Sequence, residues 1–243
     1  MSLERDRDDP AAGPIGRATG LVYWFVVIDL LVVLASLPGA LPLMLLRPDT
    51  SNLPLVALML LPVGPAVSAA LFAWRDRDRE PDQHPARHFW RGYRLNVLDV
   101  LRLWVPALAL LTVLGVNAAN LAAVGLPSSL GIALGVVALV VVLWTAHALV
   151  LASVFAFRTR DVARLGIYFV LSRPLVTLGV VSLLVVTAGL VVLVSDYVLG
   201  FVASLLTFWL WRNARPMVRD VEARFLTASS GAGGDRDEGA PAA

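Results

Sequence analysis

Two ionisable side chains sit in runs that water should not reach. Asp29 lies amid Val-Val-Ile and Leu-Leu-Val, and His147 is the single histidine within an apolar run. A carboxyl at the bilayer centre costs about 2.5–3.5 kcal/mol on insertion scales, so it must be neutral or face a partner or water. A buried Asp29–His147 pair would suit proton coupling or a polar ligand site. The same pair would serve equally as a structural hydrogen bond that fixes helix packing. Asn117 and Asn120 lie toward the end of another run, where water or a neighbouring helix can satisfy them. Pro62-Val63-Gly64-Pro65 interrupts a further run. Proline removes a backbone donor and bends a helix, and glycine lets a second helix approach. Such breaks line binding sites in transporters and also occur as packing kinks. Asp29, His147 and Asn117 are therefore the candidate intramembrane polar site.

Other chemistry finds little support. His84 and His88 are four apart, but the chain has no cysteine and the pair belongs to no recognisable metal-site motif. The chain has no cysteine, which excludes disulfides, thiolate metal sites and thiol catalysis. It carries no His-Glu-x-x-His, Gly-x-Ser-x-Gly, phosphate-binding glycine loop or paired carboxylates. Neither enzymatic activity nor a metal or cofactor is expected.

The elements that would position these residues follow from composition. The chain is 58% hydrophobic and 16% charged over 243 residues, against about 25% charged in a soluble domain. Its apolar mass comes in blocks long enough to cross a ~30 Å hydrocarbon core as helices. The expected fold is an all-α polytopic membrane bundle of about six spans, over 19–38, 53–74, 100–121, 128–157, 174–194 and 197–211. The stretch 174–211 is too long for one span, and Ser195-Asp196 is its one polar break. All 20 basic residues are arginine, which suggests a GC-rich bacterial genome, and 19 of them fall on alternate inter-span segments. The positive-inside rule puts those segments, and both termini, in the cytoplasm. The net charge of +2 and the position of the arginines beside apolar spans argue against nucleic acid as a partner. Residues 1–18 are polar, with no sign of a cleavable signal peptide.

Aromatic residues cluster on the arginine side, at Tyr23 and Trp24, Phe72 and Trp74, Phe155 and Phe157, Trp209 and Trp211. Rings that are part apolar and part polar favour the headgroup level, so these are expected to be anchors. A helix is expected over 85–99, opening on Pro85. It carries Phe89, Tyr93 and Val97 on one face and Arg87, Arg91 and Arg94 on another, as an interfacial helix does. That arginine stripe would contact anionic lipid or dock a cytoplasmic partner. The loop 158–173 repeats the pattern, with Val162, Leu165 and Phe169 opposed to Arg160 and Arg164. A helical extension is expected over 214–226. Residues 227–243, rich in Gly, Ala, Ser and Asp, should be disordered.

The order of several short motifs resembles the YesL-like family of bacterial integral membrane proteins, a domain of unknown function. The motifs are Ser36-Leu37-Pro38, Gly64-Pro65-Ala66, Phe89-Trp90-Arg91-Gly92-Tyr93-Arg94-Leu95-Asn96, Arg173-Pro174-Leu175-Val176-Thr177-Leu178 and Arg212-Asn213-Ala214-Arg215-Pro216. Together they cover about residues 20 to 220. The resemblance implies a bacterial inner-membrane protein, often encoded beside carbohydrate ABC importers, and hence an accessory role in sugar uptake. The competing expectation is an autonomous small-solute transporter built around Asp29 and His147.

Overall fold

The computed structural model describes residues 14–47, 49–79, 84–194 and 198–234, and within these every regular element is helical. The expected turn at Ser195-Asp196, the start of a sixth span at Tyr197, the segment 1–13 and the tail from 235 lie outside the described residues.

Helix α1 spans Pro14–Leu43 and opens on a proline, where no intrahelical donor is lost. It runs on through Pro38 and Pro42, past the end expected at 38. Prolines are tolerated inside helices in apolar surroundings when neighbouring groups satisfy the freed carbonyls. A tight loop follows, in which the Ser51 N–H donates to Asp49 Oδ1 at 2.8 Å and Asn52 Nδ2 to the Arg47 carbonyl at 3.0 Å. The Ser51 bond holds the Asp49 carboxyl below its ordinary range.

The second apolar run is a bent pair, α2 (Leu53–Met59) and α3 (Val63–Arg79), meeting at 43°. Pro62 and Pro65 cannot donate, so the chain tightens locally, with Leu61 and Val63 donating to carbonyls three residues back. Trp104 fills the break, its Nε1–H donating to the Leu60 carbonyl at 3.0 Å. Gly64 lies under the same indole, so close that a Cβ there would stand 2.6 Å from Trp104 Cγ.

Helix α4 spans Pro85–Asn120 without a break, about 54 Å at the usual rise. The helix expected over 85–99 and the span expected over 100–121 are therefore one element. Lining changes from polar to apolar along it, but nothing near residue 99 removes a backbone donor, so the hydrogen bonds continue. Its first turns are packed into the bundle, with Phe89 and Gly92 buried.

Helix α5 (Ser128–Val154) stops three residues short of the expected 157. Its last carbonyls, which have no intrahelical donor, are capped from two neighbours. Arg75 Nη1 donates to Val154 O at 2.7 Å and Asn96 Nδ2 to Ser153 O at 3.3 Å. Helix α6 (Thr159–Ser172) turns Val162, Gly166 and Phe169 inward and leaves Arg160 and Arg164 exposed. Trp144 ties it to α5, donating to the Ala163 carbonyl at 2.9 Å.

Helices α7 (Pro174–Leu193) and α8 (Val198–Gly234) lie antiparallel. Arg173 pairs with Asp220, and Asn213 Nδ2 donates to the Val176 carbonyl at 2.7 Å. Helix α8 continues through 214–226 and on to Gly234, beyond the point where disorder was expected. A helix already anchored by its stem extends at one hydrogen bond per residue fixed, with no new nucleation.

Among the described residues four helices, α1, α4, α5 and α7, are long and apolar enough to cross a membrane, and the bent α2–α3 pair makes a fifth if its two halves form one span. Their outward surfaces are apolar, as at Ile132, Leu175 and Leu193. Apolar surface so extensive is covered by lipid in a membrane protein, not by water.

The densest packing lies at the arginine-rich end. Trp24, Phe25, Trp74 and Phe208 form a ring cluster with centroids 4.9–5.9 Å apart. Trp24 and Trp74 are only 2% and 1% exposed. These two, with Phe72 and Trp211, are core residues, which overturns their expected role as headgroup anchors. Tyr23 and Trp209 do face outward.

Candidate functional site

The polar residues predicted for the membrane interior are brought to different places. Asp29 faces α8, where its Oδ1 accepts the Ser204 N–H at 2.8 Å. The Ser204 carbonyl accepts the Thr207 hydroxyl at 3.0 Å, and Thr207 Oγ1 accepts Trp74 Nε1–H at 3.3 Å. A short polar chain thus links α1, α8 and α3. The Asp29 carboxyl oxygen accepts this backbone N–H across two helices, and so clamps α1 to α8. Asp29 is five positions along α1 from Trp24, about 7.5 Å deeper in the bundle at the helical rise.

His147 does not meet Asp29. Its Nδ1 contacts the Leu143 carbonyl one turn back in α5 at 2.8 Å, which requires the proton on Nδ1. Its Nε2 is buried with no hydrogen-bond partner among the described residues. The two are not joined, because His147 bonds within its own helix and Asp29 bonds to α8. Asn117 is exposed and folds back onto the Val113 carbonyl at 2.7 Å, and Asn120 does the same with Val116. Neither reaches the interior. The Pro62–Pro65 break opens on an apolar cavity lined by Pro38, Met59, Pro62 and Val97, with Tyr93 at its edge. Among the described residues, the hydrogen bonds of Asp29, His147 and Asn117 join none of the three to another.

The histidine pair also separates. His84 precedes α4 and is exposed, whereas His88 is buried with its ring stacked on Trp24 at 5.9 Å. Its Nδ1 lies 3.2 Å from Asp76 Oδ2. No group of three metal-ligating His, Asp or Glu residues occurs among the described residues.

The charged chemistry of the chain is concentrated at the arginine-rich end. Asp76 pairs with Arg75 at 2.8 Å. Asp78 accepts Trp211 Nε1–H at 2.6 Å and also pairs with Arg215, and Arg79 pairs with Glu222 at 2.7 Å. Arg77 lies 5.4 Å over the Trp24 ring, and burial pulls its guanidinium pKa down from the usual value. This network, which joins α3 to α8, is not apparent from spacing alone. The alternating Arg75-Asp76-Arg77-Asp78-Arg79 run reads as a solvated turn. In the structure it is the last turn of α3, and Asp78 and Arg79 find partners more than 130 residues away.

The stripe of Arg87, Arg91 and Arg94 is different. All three are exposed on one side of α4, and none has a side-chain ion pair or hydrogen bond among the described residues. Trp90, Leu95 and Leu98 stand exposed beside them. Comparisons with models of known protein families, with curated proteins and with solved structures find no match to this chain.

Proposed function

We propose that this chain is a non-enzymatic accessory or regulatory component of a carbohydrate ABC importer in a bacterial inner membrane. It crosses six times with both ends in the cytoplasm, and it engages its partner through the arginine stripe of α4. The observation that carries the reading is a contrast among the arginines. Arg75, Arg79, Arg173 and Arg215 are used up in internal pairs. Arg87, Arg91 and Arg94 are exposed and unpaired among the described residues, on a rigid helix fixed to the core by Phe89 and Gly92. An unneutralised stripe of this kind beside exposed Trp90 and Leu95 suits an acidic protein surface at the membrane. The order of motifs shared with the YesL-like family supports the importer context.

The sixth crossing is the apolar part of α8. Its 14 residues from Val198 to Trp211 rise only about 21 Å. Local thinning and an arginine reaching to the headgroups accommodate that shortfall. The antiparallel pairing with α7 and the Asp29 clamp on α1 support a full crossing. Asp29 is on this view a packing residue.

The test is charge reversal at Arg87, Arg91 and Arg94 together, with tagged protein purified from the native host and its companions quantified by mass spectrometry. Recovery of a sugar-importer permease pair should fall several-fold, with thermal unfolding of the bundle unchanged. Recovery equal to wild type would remove this stripe as the dock.

A further inference from the structure

A second basic surface is concave and of another kind. Arg75 and Arg79 on α3 are four residues apart, as are Arg215 and Arg219 on α8, so each pair shares a helix face. The two helices run in the same direction here, since Trp74 meets Thr207 and Asp78 meets Trp211. The two arginine pairs therefore face one another across a groove. Between them lies a cavity of about 370 Å³, lined by the four arginines with Asp78 and Glu222 and reaching Trp211.

Its charge is unbalanced. Four guanidiniums face two carboxylates, and the carboxylates are already engaged. Asp78 holds Trp211 and Arg215, and Glu222 holds Arg79. Arg75 is turned to Asp76 and the Val154 carbonyl. Arg219 lines the cavity, is exposed, and has no side-chain ion pair or hydrogen bond among the described residues. Such a cavity suits an anion with several oxygens that bridges two helices at once.

We propose that this groove binds a phosphate-bearing ligand, with Arg219, the cavity arginine that has no side-chain pair among the described residues, as the residue that closes on it. Guanidinium groups present planar forks of donors that match phosphate oxygens, and the cavity volume falls within the range of small-ligand sites, about 300–1,000 Å³. The phosphate can come from two sources. The apolar part of α8 gives way to polar sequence at Arg212, and such a change of polarity falls at the level of phospholipid headgroups. The same opening would admit a soluble phosphate ester. The site is separate from the α4 stripe and does not depend on the importer partnership.

The full chain would be placed in nanodiscs of phosphatidylcholine, with and without phosphatidylglycerol. Retained lipid would be read by native mass spectrometry, and pyrophosphate binding by thermal shift. Wild type should retain phosphatidylglycerol over phosphatidylcholine or bind pyrophosphate in discs of phosphatidylcholine alone. Arg219→Glu should weaken that binding by about tenfold to a hundredfold, the effect expected for a lost hydrogen bond to a charged group. Arg219 has no side-chain pair among the described residues, so the variant should fold, and Arg91→Glu makes the same charge change outside the cavity and should bind as wild type. Retention of phosphatidylglycerol without pyrophosphate binding identifies a lipid headgroup as the source. Pyrophosphate binding without lipid selectivity identifies a soluble phosphate. The proposal is overturned if neither probe binds, if Arg219→Glu binds as wild type, or if Arg91→Glu loses binding equally.

Discussion

Replacing Trp74 with alanine should lower the stability of the bundle by about 3–5 kcal/mol, the usual cost of deleting a large buried ring. Trp74 is 1% exposed and touches Trp24, Phe25 and Phe208 with centroids 5.9, 4.9 and 5.0 Å away. Aromatic pairs in tilted and edge-on geometry add to the area term, and alanine leaves a cavity where α1, α3 and α8 meet. Its Nε1–H also donates to Thr207. Trp74→Phe should keep most of the packing and lose mainly that bond, at about 1 kcal/mol. Thermal or denaturant unfolding in mild detergent measures both. A loss below about 1 kcal/mol for Trp74→Ala would mean that the ring sits in the headgroup layer.

Gly92→Leu should be nearly as damaging, at or above the top of the about 1–3 kcal/mol range for overpacking. A Cβ at Gly92 would stand 2.6 Å from Phe72 Cβ and 2.7 Å from Phe72 Cγ. Phe72 is buried and cannot swing aside, because the Arg75 guanidinium lies over its ring at 4.3 Å. The side chain would have to force α3 and α4 apart at the point where α4 is held to the bundle. Gly135→Ala provides the contrast. Nothing lies within 4 Å of a Cβ there, so the exchange should be neutral or gain up to about 1 kcal/mol in helix propensity. Equal effects at the two sites in the same unfolding measurement would contradict the close α3–α4 contact.

The helical character, the bent second run and the positions of most apolar segments were legible because each depends on local signals. Pro62 and Pro65 remove donors wherever they fall, and the break appears between Met59 and Val63. Helix ends marked only by a change of polarity were not legible. The junction near residue 99 changes what surrounds α4 and leaves its backbone bonds alone. Trp24 and Trp74 carry the sequence signature of interface anchors, yet they pack inward, because burial depends on which faces of α1, α3 and α8 meet. Periodicity cannot supply that information. Asp29 was recognisable as needing a partner, but its acceptor role toward a backbone N–H of α8 depends on a contact 175 residues away. The stripe of Arg87, Arg91 and Arg94 was legible as a face. The ion-paired state of the other arginines was not, and that state is what makes the stripe distinctive.

The central claim is a six-crossing bundle with its arginine-rich end in the cytoplasm. The chain has no cysteine, so single cysteines report sidedness without background. Cysteines at Ser51, Ala123, Ala156 and Ser195, labelled with a membrane-impermeant maleimide in a bacterial host, test it most directly. The account predicts labelling of positions 51, 123 and 195 in intact cells, and of position 156 only after the membrane is opened. Labelling of position 156 in intact cells would invert the topology, and protection of position 195 until rupture would remove the fifth and sixth crossings together.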